Sequence, residues 1–194
     1  MKKLMIFALL VVVAVTIFGF TPTGEDMAIY DNVVRLHVLA NSDSEKDQAI
    51  KLAVRDAVLE NISGVTAGAT DAESAAALIS ENVCLVRDVA ARTLSSLGSD
   101  APVGVTLSEE YYPTRDYGDV SLPAGKYTSL RVMIGDAEGQ NWWCVLYPAI
   151  CVSSAKANAV FKQTGFSTEQ INVLTDSEKP VYKIKFKLLE LISG

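Results

Sequence analysis

Histidine occurs once in this chain, tryptophan twice and cysteine three times. There is no Cys-x-x-Cys pair, no His-Glu-x-x-His helix, no glycine-rich phosphate loop and no serine nucleophile elbow. Each absence removes a chemistry. A structural or catalytic zinc site needs three or four Cys, His or carboxylate ligands at paired spacings. A lone His37 with scattered cysteines does not provide them. A phosphate loop needs glycines that let backbone N–H groups converge on an anion. No cofactor or metal is therefore expected. Positive charge is also short: 17 Lys and Arg stand against 23 Asp and Glu, a formal net charge of −6. Setting aside Lys2 and Lys3 leaves 15 basic residues against 23 acidic ones, a net −8. Such a surface repels phosphate backbones and anionic headgroups, which argues against nucleic acid as a partner.

Only one long hydrophobic run is present. Leu4 to Phe20 carries no charge and follows Lys2 and Lys3. That pattern is a secretory signal, and its length also sits at the lower edge of what spans a bilayer. Residues 1–23 read as a signal peptide or an uncleaved anchor, and 24–31 as a tether. Residues 32–194 form a single extracytoplasmic domain, with membrane contact only through the N-terminal segment. Roughly 170 residues suffice for one domain that buries about 70% of its unfolded surface.

The pattern then alternates between periods. "NVVRLHVLA" (32–40) has strand composition, with Val34, Leu36, Val38 and Ala40 on one face and Arg35 and His37 on the other. "NSDSEKDQAIKLAVRDAVLENISG" (41–64) predicts a capped helix with an apolar stripe at Ile50, Val54, Val58 and Ile62. Thr70 and Glu73 have capping-box spacing and open a second helix reaching Gly98, with Cys84 on its polar flank. Three alternating segments follow at 101–112, 126–135 and 141–147, the last two joined across "DAEGQ". They predict an antiparallel meander. The fold class expected is α+β: a two-layer sandwich, a mainly antiparallel sheet with two long helices on one face. "STEQINVL" (167–174) reads as a short capped helix, and "VYKIKFKLLELISG" (181–194) as a closing strand that frays into helix.

Two stretches concentrate functional side chains. "RLHVLANSDSEKD" brings Arg35, His37, Asn41, Ser42, Asp43, Glu45 and Asp47 together. One sharp reading is an extracytoplasmic hydrolase in which His37 activates Ser42 under the orientation of Asp43. Triad members normally converge from separate segments, so a polar strand-to-helix corner, a capped helix start with Arg35 and His37 bonded to it, is the strongest reading, and partner recognition by the same residues comes second. "GQNWWCVLYPAIC" (139–151) holds both tryptophans and two cysteines. In a strand Trp142, Cys144 and Leu146 share one face, and Trp143, Val145 and Tyr147 the other. One face packs under the helices; the other is covered by the 152–180 segment, the stronger reading, or offered to a partner, since exposed Trp and Tyr are typical anchors of protein interfaces. Arg35, His37, Asn41, Asp43, Trp142, Trp143 and Tyr147 are the candidate partner contacts. Cys144 and Cys151 are either a bridge or reactive thiols. A bridge closing those eight residues would contribute roughly 2.5 kcal/mol, and it needs a wider loop than a tight turn at Pro148-Ala149.

The blocks "VVRLHVLANSDSEKDQAIKLAVRDAVLE" and "GKYTSLRVMIGDAEGQNWWCVLYPAIC", behind one hydrophobic leader, resemble the stage II sporulation protein R family of endospore-forming bacteria. The resemblance implies a signal and not an enzyme. Such proteins are made in the forespore and exported into the space between the two membranes. There they activate a membrane-embedded aspartic protease of the mother cell, which processes the precursor of sigma factor E. The resemblance carries over no catalytic residues.

Overall fold

In the computed structural model the residues described are 3–7, 9–11, 29–117, 120–149, 160–161, 164, 166, 170–171 and 174. Most of the leader, Cys151 and the segment at 181–194 lie outside them. Among the described residues, no helix is long and apolar enough to cross a membrane.

The chain is α+β. Strand β1 (Val34–Leu39) leads into helix α1 (Glu45–Val65), then α2 (Ala72–Glu81) and α3 (Val83–Ser96). Strands β2 (Val103–Tyr112), β3 (Arg115–Tyr117), β4 (Val120–Leu122), β5 (Gly125–Ile134) and β6 (Asn141–Tyr147) follow. The main sheet has the order β2-β5-β1-β6, and β3 and β4 form a separate two-stranded hairpin.

The meander expected from the last strands is corrected by this order. β2 and β5 pair antiparallel as expected, but β1 inserts between β5 and β6, parallel to the former and antiparallel to the latter. The sheet is therefore mixed. All six residues of β1 are buried, because a central strand is covered on both faces. Val34, Leu36 and Val38 enter a core with Leu130, Val132 and Ile134 of β5 and the helical stripes. Those stripes supply Ile50, Val54, Val58 and Ile62 from α1, Ile79 from α2, and Val86, Ala90 and Leu94 from α3.

The helix ends follow from their caps. Ser44 accepts the Asp47 N–H at 3.1 Å and starts α1, with Glu45 and Asp47 at the positive end of the dipole. The second helix is capped by Asp71 with Ser74 rather than by Thr70 with Glu73, one residue later than the spacing predicts. It also divides in two. At Asn82 the backbone leaves helical geometry (φ −109°), and the side-chain amide donates to Leu78 O at 2.8 Å. An asparagine that bonds its own turn offers the backbone an alternative to continuing the helix.

A second apolar cluster lies on the far side of the sheet. Ile29, Val33, Tyr112, Val120, Leu122, Tyr127 and Val145 pack there with Phe161, Phe166, Ile171 and Leu174. Of the helix expected at 167–174, Gln170, Ile171 and Leu174 are helical and the other positions lie outside the described residues. The β3–β4 hairpin, in a stretch without a periodic signal, covers one end of this face.

Candidate functional site

The two faces of β1 carry different chemistry, and the far face gathers most of the candidate residues. Arg35 is completely buried there. Its Nε donates to Cys144 O at 3.1 Å, and Nη2 donates to the Tyr117 hydroxyl at 2.6 Å. The guanidinium lies 4.3 Å from the ring centre of Tyr112, 4.8 Å from Tyr127 and 5.4 Å from Tyr117. Among the described residues Nη1 has no hydrogen-bond partner. Burial pushes the hydroxyls of Tyr112, Tyr127 and Tyr117 above the ordinary tyrosine range, and the nearby Arg35 charge only partly opposes it. The three rings thus stay neutral at physiological pH. The cation is held by π faces and neutral oxygens.

His37 sits two residues further along, 3% exposed. Its ring stacks on Trp143 with centroids 3.8 Å apart and planes at 14°. Nδ1 lies 2.8 Å from Glu110 Oε1, and Nε2 lies 3.0 Å from Asn141 Oδ1. Ser129 donates to the other Glu110 oxygen at 3.0 Å and shares a 2.6 Å hydrogen bond with the Tyr112 hydroxyl. Arg131 Nε stands 3.9 Å from Glu110 Oε1. The network crosses all four strands, from Glu110 on β2 through Ser129 on β5 and His37 on β1 to Asn141 on β6. It ties them together where ladder hydrogen bonds join only neighbours.

The strand-to-helix corner does a different job. Ala40 O accepts from Gly139 N at 3.0 Å, and Asn41 Oδ1 accepts from Asp136 N at 3.0 Å. Asp43 Oδ1 accepts from Gln140 N at 2.7 Å, and Lys51 donates to Gln140 O at 3.0 Å. The corner is a latch for the loop between β5 and β6. The loop approaches so closely that a Cβ on Gly139 would collide with the Ser42 carbonyl. Gly135 meets Asn41 and holds φ +57°, a conformation glycine adopts without strain.

The hydrolase constellation does not assemble. Ser42 donates to Asp47 Oδ2 at 2.5 Å, Asp43 engages the β5–β6 loop, and both His37 nitrogens face other partners. Asp47 also accepts from Asn41 at 2.9 Å, and these bonds, Ser42 first, hold its carboxyl below the ordinary range.

The remaining candidates divide by exposure. Asp43 is exposed, and Trp142 is 37% exposed with the Arg55 guanidinium 4.2 Å from its ring. Asn41 and Trp143 are half-buried, while Arg35, His37 and Tyr147 are buried. Tyr147 does not share the face of Trp143, as simple alternation predicts. The β1–β6 register shifts between Val34 and Arg35, and Tyr147 joins the helix-side core with Cys144 and Leu146. One extra residue in a strand reverses every later side chain. Cys144 is disulfide-bonded and Cys84 is free and exposed; Cys151 lies outside the described residues. The sequence reading missed Glu110, Tyr112 and Ser129. Glu110 and Ser129 are polar positions within alternating strands, which was the one signal available for them.

The protein is thus an α+β domain whose mixed sheet carries an aromatic and polar network on its far face and is latched at the β1–α1 corner. The sequence profile described as "Stage II sporulation protein R (spore_II_R)" matches residues 30–157, which include the whole of that sheet. The chain belongs to the stage II sporulation protein R family. It is 34% identical over 128 residues to the stage II sporulation protein R of Bacillus subtilis (strain 168), across 66% of this chain and 57% of that protein. The match thus spans little more than half of the relative's length. No solved structure matches this chain.

Proposed function

We propose that this protein is an exported sporulation signal, crossing the forespore membrane into the intermembrane space and remaining there either free or held by its N-terminal segment. There it activates the membrane-embedded aspartic protease of the mother cell, and the precursor of sigma factor E is processed in consequence. The observation that carries this reading is membership of the family over residues 30–157. The protein acts by presenting a surface, and it makes and breaks no covalent bonds itself.

Within that role Arg35, His37 and Tyr147 position neighbours, since their side chains are buried. The partner meets the two sides of edge strand β6 and the corner beside it: Trp142 with Arg55 on the helix side, the half-buried Trp143 stacked on His37 on the far side, and Asp43 with Asn41 at the corner. Trp142 supplies the aromatic anchor. A Trp142→Ala variant in a sporulating host should block processing of the sigma factor precursor while the exported domain stays folded by circular dichroism. Normal processing by a folded Trp142→Ala protein would remove the helix side of β6 from the interface. Mass spectrometry of the protein recovered after export reads both the fate of the leader and the pairing proposed between Cys144 and Cys151.

A further inference from the structure

We propose that this chain forms a two-fold dimer by antiparallel pairing of the outer edge of β2 with the same edge of a second copy, in the register that sets Leu107 opposite Leu107. β2 is the terminal strand of the sheet, and all ten of its residues pair with β5 without a register shift. Among the described residues nothing pairs with its other side. Edge strands are normally blunted by proline, charged side chains, a bulge or shortness, because a straight free edge templates another strand. "VGVTLSEEYY" is long, unbulged and free of proline and lysine, and its two charged residues, Glu109 and Glu110, fall in its C-terminal half, leaving 103–108 uncharged.

The side chains beside this edge are incompletely covered. Val103, Val105 and Leu107 pack against the helix-side core but remain half-buried, and Tyr111 on the same face is 65% exposed. On the other face Thr106 and Ser108 are exposed.

A two-fold interface must be complementary to itself, and the pleat lets side-chain faces match only in every second register. Centring the pair on Glu109 or Glu110 would set a carboxylate against its own copy. Centring on Leu107 places Tyr111 beside Val103, Glu109 beside Val105, and Thr106 across from Ser108. No like charges meet, and the hydroxyl pair can hydrogen-bond. The half-buried valines and Leu107 of both copies then form one apolar strip under Tyr111. A second copy brings a strand of matching length whose charges are already offset from these. This inference does not depend on the proposed signalling role.

The test is sedimentation of the full chain at micromolar concentration, in detergent that accommodates its N-terminal segment. Wild-type protein should sediment as a dimer. Leu107→Lys and Leu107→Glu should each weaken it roughly tenfold or more, and an equimolar mixture should regain dimers, now of unlike chains. A monomeric wild type, dimers that persist in both variants, or a mixture that stays monomeric overturns the proposal. The first of these is also what a foreign strand as the natural occupant would give. Where the Leu107 variants fail to fold, a Thr106→Cys, Ser108→Cys double variant decides: this register yields oxidised covalent dimers joined through these positions, and their absence overturns it.

Discussion

Arg35 carries the greatest electrostatic burden of any side chain described. A guanidinium taken wholly out of water costs several kcal/mol unless its surroundings compensate. Here no carboxylate does so among the described residues. The compensation comes from three tyrosine faces, a backbone carbonyl and one hydroxyl, with Nη1 finding no partner among the described residues. Two substitutions separate charge from volume. Arg35→Met keeps most of the bulk and removes the buried charge, and should cost about 1–3 kcal/mol through the two lost hydrogen bonds. Arg35→Ala also opens a cavity beneath the tyrosines and should cost about 3–5 kcal/mol. Denaturant midpoints at constant slope give both values. Equal costs would mean that packing around the stem contributes nothing. The candidate site was legible at this scale only in part. Arg35 and His37 stand out as charged or titratable positions on an otherwise apolar strand. Their partners Glu110, Tyr112, Ser129 and Tyr117 come from distant parts of the chain, and no local pattern announces such a meeting.

At the scale of elements, local chemistry set the helices and long-range packing altered their details. Asp71 accepts the Ser74 N–H at 2.7 Å, while Ser74 Oγ accepts from Asp71 N at 3.2 Å. Thr70 supports this box from outside the helix, its N–H donating to Ser74 Oγ at 3.1 Å and its hydroxyl to Asp71 Oδ2 at 3.3 Å. The Ser74 backbone bond, followed by its side-chain bond, holds the Asp71 carboxyl below its usual 3.8. The unfolded chain therefore takes up a proton before the folded one as pH falls. The cap's contribution is complete above that value and is lost as pH falls through it and below. Asp71→Ala should lower the thermal midpoint by a few degrees at neutral pH, and the deficit should close in acid. Thr70→Ala, which removes only the 3.3 Å hydroxyl bond to Asp71, should lower the midpoint by less than Asp71→Ala does. A reversed ranking would return the cap to Thr70. The bulge in β6 is the other element-level event. It moves Tyr147 from the far face to the helix side, so the aromatic pair expected from alternation is never formed.

At the scale of the whole molecule, the mixed sheet decides where stability resides. β1 has neighbours on both sides and a core on each face, whereas β2 is an edge and β3–β4 a two-stranded hairpin. Opening the centre therefore requires global unfolding, and opening the hairpin does not. Native-state hydrogen exchange should show Leu36, Val38, Leu130 and Val132 as the slowest amides, with residues 115–122 exchanging far sooner. Hairpin amides as slow as those of β1 would contradict this ordering. The same arrangement presents Trp142 on the helix side of β6 while Arg35 and His37 are buried on the opposite face, beside Trp143.

The sequence by itself determined the α+β class, the existence of β1, α1, β2, β5 and β6, the faces of all of these but the end of β6, the helical stripes and the family. All of these are written in short-range periodicity, capping residues and quoted motifs. Tertiary structure alone decided that β1 lies between β5 and β6, that a bulge turns Tyr147 to the helix side, and that "NSDS" latches a loop instead of serving a catalytic histidine. The physical reason is that alternation fixes which side chains share a face but says nothing of which strand lies alongside. That choice belongs to contacts between residues a hundred positions apart, settled by burying both faces of β1 at once.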